Sequence, residues 1–274
     1  MKKILVPTDF SKLSKVTFNT AKVIAEKTDA EIHLLHGSFL LDKMQKSIAK
    51  EKQINEERSH IAKLEKLSRN ANKENLKTET HYCNTHFLSK IVSFSENEFD
   101  LIVMGTDDFK NQDEYLKDSN ALKVVRLTQC PVLVIKSEAY RWKNDEIIFA
   151  SDFNKEIFPV FEELVDFAKL MNMKINLVRI GLEDKSYKKI EDIIEPFAAI
   201  CPEENFGIVW EHNDSTIAAG LKYVCKKFNY CPIAIGSHHR EYDNLFYDDA
   251  VSETIVFEAE VPVLTFPIFS ELLV

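Results

Sequence analysis

Two short segments carry the residues best placed for chemistry. In the first, the apolar run Leu101–Met104 ends in Gly105 and is followed by Asp108, Asp118 and Ser119; in the second, apolar residues from Ile233 end in Gly236 and are followed by His239, Asp249 and Ala250. A glycine after a buried strand and before a helix is the layout of a phosphate-type loop, in which backbone N–H groups and a helix N-terminus face an anion. Two further residues, Asp9 in KKILVPTDFS and Asp152 in DEIIFASDFN, stand at strand-to-helix turns, where a carboxylate can accept from the orphan amides of the next helix.

These segments are parts of a repeat. The distance from Gly105 to Pro131 is 26 positions, and so is that from Gly236 to Pro262. Asp9 precedes Gly37 by 28 positions and Asp152 precedes Gly181 by 29, so two units of one ancestry fill nearly the whole chain. The copies differ mainly in the middle, where Asp42–Asn75 of the first is long and charged.

Each unit alternates short apolar runs with helical patterns. The first reads as strand Ile4–Val6, a helix with Leu13, Val16, Ala21, Ile24 and Ala25 inward, and strand Ile32–Leu35. A long or broken amphipathic helix follows over Leu41–Asn75, then strand Leu76–Tyr82, helix Phe87–Glu98 and the loop unit closing on Val132–Ile135. The second replays this with strand Ile147–Ala150, helix Ile157–Met171, strand Ile175–Val178, a shorter helix Tyr187–Phe197, strand Phe206–Trp210, helix Ser215–Lys227 and a last strand Val263–Phe266. Right-handed crossovers turn each β-α-β-α-β-α-β-α-β unit into a doubly wound parallel sheet. The expected domains are 1–138 and 143–274, joined by the linker Ser137–Asp145.

Composition narrows the function. The 274 residues, 45% of them hydrophobic, suit two ordinary globular domains, and no apolar run approaches the roughly 18 residues of a membrane span. The strand-like start is no signal peptide, so a cytoplasmic protein is expected. Five cysteines without a C-x-x-C pair fit reduced, buried thiols. A net charge of −9 argues against nucleic acid and anionic membranes as partners, since both are bound by Lys and Arg releasing counterions. There is no G-x-S-x-G, no G-x-x-x-x-G-K-S/T and no placed nucleophile–base pair, so the expectation is no enzyme. His238, His239 and His212 invite a metal reading, but adjacent side chains of an extended segment diverge and nothing completes a tetrahedral set. No metal is expected.

The order V-P-T-D-F-S, D-L-I-V-M-G-T, S-N-x-x-x-V-V-R and C-P-V-L-V-I resembles the universal stress protein family in its tandem form, and the resemblance covers both halves. It implies a Rossmann-like five-stranded sheet of order 3-2-1-4-5 in each half. It also implies an internal pseudo-dimer through the last strands, and a nucleotide site at the switch point between strands one and four. The residues it would place there are Pro7, Thr8, Asp9, Gly105, Asp108, Asp118 and Ser119 in the first half, with Ser151, Asp152, Gly236, His239, Asp249 and Ala250 in the second. The family's phosphate motif is G-x-x-G-x9-G-S/T. Here it reads G-x-x-D-x9-D-S and G-x-x-H-x9-D-A, so only the first glycine survives in each copy. A carboxylate about 5 Å from a phosphate charge adds roughly 3 kcal/mol of repulsion at an effective dielectric near 20. The expectation is therefore a stress-response or regulatory protein with degenerate nucleotide sites that acts through protein partners, and whose exposed surfaces allow a homodimer. The alternatives are an ATP- or AMP-binding switch using the first half, and a small-molecule or metal carrier centred on the second.

Overall fold

The computed structural model describes residues 1–37, 50–84, 86–106, 119–142, 145–153, 155–181, 195–197, 199–201, 206–212, 217–238 and 251–269. In the first half, β1 (Lys3–Pro7), β2 (Glu31–Gly37), β3 (Thr78–Cys83), β4 (Leu101–Gly105) and β5 (Val132–Ile135) alternate with helices. These are α1 (Lys12–Thr28), α2 (Lys50–Asn72), α3 (Phe87–Asn97) and α4 (Asn120–Leu127). The second half carries β6 (Glu146–Ala150), β7 (Lys174–Gly181), β8 (Phe206–His212), β9 (Ile233–His238) and β10 (Val263–Ile268). Its helices are α5 (Phe158–Met171), α6 (Ile217–Lys227) and α7 (Val251–Glu258).

The strands form one ten-stranded sheet in the order β3-β2-β1-β4-β5-β10-β9-β6-β7-β8. Each half has the order 3-2-1-4-5 that the family resemblance implies. The two expected sheets fuse because β5 and β10, the only antiparallel neighbours among the described strands, pair as Val134↔Val263, Leu133↔Leu264 and Val132↔Thr265. Leu133 and Leu264 are equivalent residues of the two copies, so the register places a pseudo-twofold axis between them, as in an isologous dimer interface. The pairing also closes two apolar strands that would otherwise be open edges.

Local stop signals recur with the repeat. Ser11 caps α1, its Oγ accepting from the Ser14 amide at 3.1 Å, and Asp29 ends that helix in the left-handed region. Asn172, also left-handed, ends α5 at the equivalent place. Two cores sandwich the sheet, and each runs through both halves. One holds Ile24, Leu64, Phe149, Phe161 and Phe266 beneath α1, α2 and α5; the other holds Ile91, Leu122, Val224 and Val256 beneath α3, α4, α6 and α7. The expected linker does more than tether, since Tyr140 and Trp142 pack against the first core.

Some boundaries differ from the sequence reading. Leu41–Asn75 is described only from Lys50, as α2, and of Tyr187–Phe197 only 195–197 are described, as helix. β10 runs two residues past Phe266, through Pro267 to Ile268. Proline is tolerated there because the pairing with β5 has already ended at Thr265. No disulfide links the five cysteines, and burial pushes the Cys130, Cys225 and Cys231 thiols up to about 12, which makes them inert. Among the described residues, no helix is long and apolar enough to cross a membrane.

Candidate functional site

β1 and β4 are neighbours whose crossovers leave to opposite sides, so their C-terminal ends part and leave a crevice. The first half has a cleft of about 330 Å³ there, bordered by Pro7, Thr8, Asp9, Gly37, Gly105, Thr106, Asn120, Lys136 and Glu138. That volume lies at the lower end of what small-molecule sites enclose.

The loop after β1 is held by its own polar groups. The Thr8 amide donates to the Leu35 carbonyl at 2.8 Å, and Thr8 Oγ1 accepts from the Phe10 amide at 3.1 Å. Asp9 Oδ1 accepts from the Ser11 amide at 2.9 Å and from Ser14 Oγ at 2.8 Å. Burial alone would raise the Asp9 carboxyl, but these hydrogen bonds outweigh it and hold the group below its ordinary value. Asp9 is nonetheless exposed, and it stands at the cleft as an ionised acceptor. Phe10 follows with φ of 64°, a conformation that bulky residues rarely adopt. Phe153 has φ of 60° at the equivalent place, the Ser151 amide donates to Val178, and Ser151 Oγ accepts from Phe153. The Thr8 bonds and the left-handed phenylalanine thus recur in both copies.

Beneath the loop lies His36, buried, with Nδ1 2.6 Å from the Thr8 carbonyl. A carbonyl can only accept, so Nδ1 carries the proton. Burial lowers the His36 imidazole, with His60 and Lys63 pushing the same way and the Thr8 carbonyl and Asp9 opposing. The unfolded chain, with a histidine near 6.5, therefore binds more protons than the folded one at mildly acid pH. Stability should fall as pH drops below 6.5, and His36→Gln should flatten that slope. Urea midpoints between about pH 5 and 8 would show it.

Other expected residues have structural neighbours of their own. Ser119 is 1% exposed and caps α4, its Oγ accepting from the Leu122 amide at 3.2 Å, so it holds the helix rather than facing the cleft. Gly105 is explained by packing, since a Cβ there would come within 2.8 Å of the Leu13 side chain of α1. In the second half a Cβ on Gly236 would stand 2.6 Å from Ile268 Cδ1 and closer still to Ile157 Cδ1. Asp152 sits exposed after β6, as Asp9 does after β1. Asp108, Asp118, His239, Asp249 and Ala250 lie outside the described residues.

Ile268 is the counterpart of Ser137, so the second copy puts an apolar side chain where the first has a hydroxyl. β9 and β10 also stay paired as far as His238↔Ile268. The sequence reading missed Lys136 and Glu138 because both fall at the edge of what looks like a linker. Lys136 Nζ donates to the Phe257 carbonyl of the second half and lies 4.9 Å from the Phe257 ring centre, so the cation at the rim is turned toward the other half.

The match to known proteins agrees with this geometry. The model of the universal stress protein family matches residues 1–136. Universal stress protein MJ0531 of Methanocaldococcus jannaschii is 31% identical over 140 residues, covering 49% of this chain and 82% of that protein. The chain belongs to the universal stress protein family. A universal stress protein from Archaeoglobus fulgidus has a similar structure, with a TM-score of 0.75 at 18% identity over 97% of this chain and 96% of that one. The cytoplasmic domain of a prokaryotic cation chloride cotransporter has a TM-score of 0.57 at 10% identity, over 96% and 94%. At such identities the likeness speaks for the fold, and its coverage takes in both halves of the tandem.

Proposed function

We propose that this universal stress protein is a non-enzymatic, cytoplasmic stress-response regulator that acts through protein partners. On this reading its first-half cleft takes an adenosine-type ligand, its affinity for triphosphates is low, and its second half serves assembly. The observation that carries the reading is the asymmetry of the two switch points. The first is a cleft with an ionised acceptor at Asp9, whereas at the second the apolar Ile268 takes the position of Ser137 and packs on Gly236. Low triphosphate affinity follows from the charges at the rim, where Asp9 and Glu138 are carboxylates and Lys136 is engaged with Phe257. Asp108 and Asp118 replace glycines of the family motif and add to the repulsion.

ATP with magnesium should therefore bind more weakly than about 100 µM, while adenosine binds measurably and loses its site in Asp9→Asn. Calorimetry on the full chain decides the matter. A low-micromolar constant for ATP would overturn the degenerate-site reading, and adenosine binding that survives Asp9→Asn would move the ligand elsewhere.

A further inference from the structure

On the outer strands of the first half, away from the cleft, two histidines and a glutamate converge. His33 of β2 and His81 of β3 stack at 5.1 Å between ring centres, with His33 Nδ1 2.8 Å from His81 Nε2. Glu79 brings Oε2 to 3.7 Å from His33 Nδ1 and Oε1 to 3.9 Å from His81 Nε2. On the other side of the His33 ring, Nε2 is buried without a hydrogen bond, and its nearest carboxylate is Glu31 Oε2 at 3.4 Å. Phe99 and Phe94 of the overlying segment contact the two rings edge-on at 4.8 and 5.2 Å.

We propose that His33, His81 and Glu79 form a site for a divalent transition-metal ion, with Glu31 orienting the His33 ring. The donors suit this class: two imidazoles and one carboxylate match zinc, cobalt, nickel or copper rather than magnesium or calcium. A tetrahedral ion with metal–nitrogen distances near 2.0–2.1 Å holds its nitrogens about 3.3 Å apart, so the rings need to part by about half an ångström. Glu79, 56% exposed, is free to swing onto the ion, and water fills the remaining position. Glu31 then accepts from His33 Nε2–H, which leaves Nδ1 bare for the metal, the carboxylate–histidine–metal arrangement of many such sites. His81 shifts its proton from Nε2 to Nδ1, so binding by the two neutral rings releases none.

The second half is the internal control. In parallel register, His33 faces Glu79 and Leu35 faces His81; the counterparts are Asn176 facing Gly207 and Val178 facing Val209, with Lys174 in place of Glu31. The same strand pair is therefore built without any of the four residues, and the fold itself does not call for them. β3 is an edge strand, so an ion bridging it to β2 would fasten the margin of the sheet.

The test is calorimetry with zinc chloride on the untagged full chain, alongside the visible spectrum of the cobalt(II) form. One equivalent of zinc should bind at micromolar concentration or tighter and raise the melting temperature, and cobalt(II) added to the metal-free chain should give a tetrahedral spectrum that zinc abolishes by displacing it; magnesium should do none of this. His81→Ala should weaken zinc at least tenfold and abolish both the stabilisation and the spectrum, Glu31→Gln should weaken it about tenfold, and His238→Ala should change nothing. Zinc binding weaker than about 100 µM, binding unchanged in His81→Ala, or binding lost in His238→Ala would each overturn the proposal.

Discussion

Replacing Arg126 with methionine is expected to lower the stability of the chain by about 3–5 kcal/mol, since it breaks a buried ion pair between the halves. Arg126 is 4% exposed at the end of α4 and Glu253 is 1% exposed in the first turn of α7. The guanidinium donates from Nε to Glu253 Oε1 at 2.8 Å and from a terminal nitrogen to Oε2, a planar two-point match. Both charges also lie at the helix ends that favour them, the cation at a C-terminus and the anion at an N-terminus. Methionine fills much of the arginine volume but removes the two-point match, and the cost is that of breaking a buried ion pair on one side. The double change Arg126→Met with Glu253→Leu should recover most of the loss. Urea denaturation of the parent, Arg126→Met, Glu253→Leu and the double mutant measures it, and Arg126→Met within about 1 kcal/mol of the parent would show that water or another group solvates Glu253.

The ion pair also distinguishes one half from the other. The repeat places Phe257 at the position of Arg126 and Leu122 at the position of Glu253, so the pseudo-twofold axis generates no second copy of the pair. Two first halves brought together in the same way would set Arg126 against Leu122, burying a cation without its partner. The pairing of unlike halves is thereby favoured over the pairing of like ones.

How much of this could be read from the chain depended on distance along it. The repeat is legible because its spacings recur along the chain, and the strand order, the switch point and the β5–β10 seam follow from the family resemblance that the repeated segments carry. The turn after β1 was equally legible, because VPTDFS and FASDFN are contiguous and the structure gives both the same left-handed phenylalanine. What was not legible depends on side chains meeting across strands. Gly105 and Ser119 stand out in the motif, but that Leu13 packs against the one and that the other caps the first turn of α4 appear only in the fold. The crowding of the second switch point turns on Ile268, which the sequence reading left outside the last strand because it stopped before Pro267. The histidine cluster was missed although its trace is present. Glu-x-His occurs in both β2 and β3, at Glu31 and Glu79, and only the register of the two strands brings the two copies into contact.

The seam itself gives the other large expected effect. Val134 is buried and has neighbours on both sides, Met104 of β4 and Val263 of β10, so its strand is central in the fused sheet rather than marginal. The Ile135 carbonyl accepts from the Thr106 amide on the β4 side, and N–H groups alternate along a strand, so the Val134 amide is one that faces β10. Proline there removes a ladder donor of the seam that no water can replace, and it also disturbs a buried side chain. Val134→Pro should therefore lower stability by more than about 3 kcal/mol, adding the backbone loss to the side-chain loss. Val134→Ala separates the two, because it makes the cavity and keeps the amide. The proline chain should also open at the seam, with a larger radius of gyration by X-ray scattering and faster proteolysis between Ser137 and Asp145, while the alanine chain stays compact and protected. Equal scattering and equal protection in the two variants would mean that α4 against α7 and α1 against α5, where Lys27 Nζ donates to the Met171 carbonyl at 2.8 Å, hold the halves together without the strand pairing.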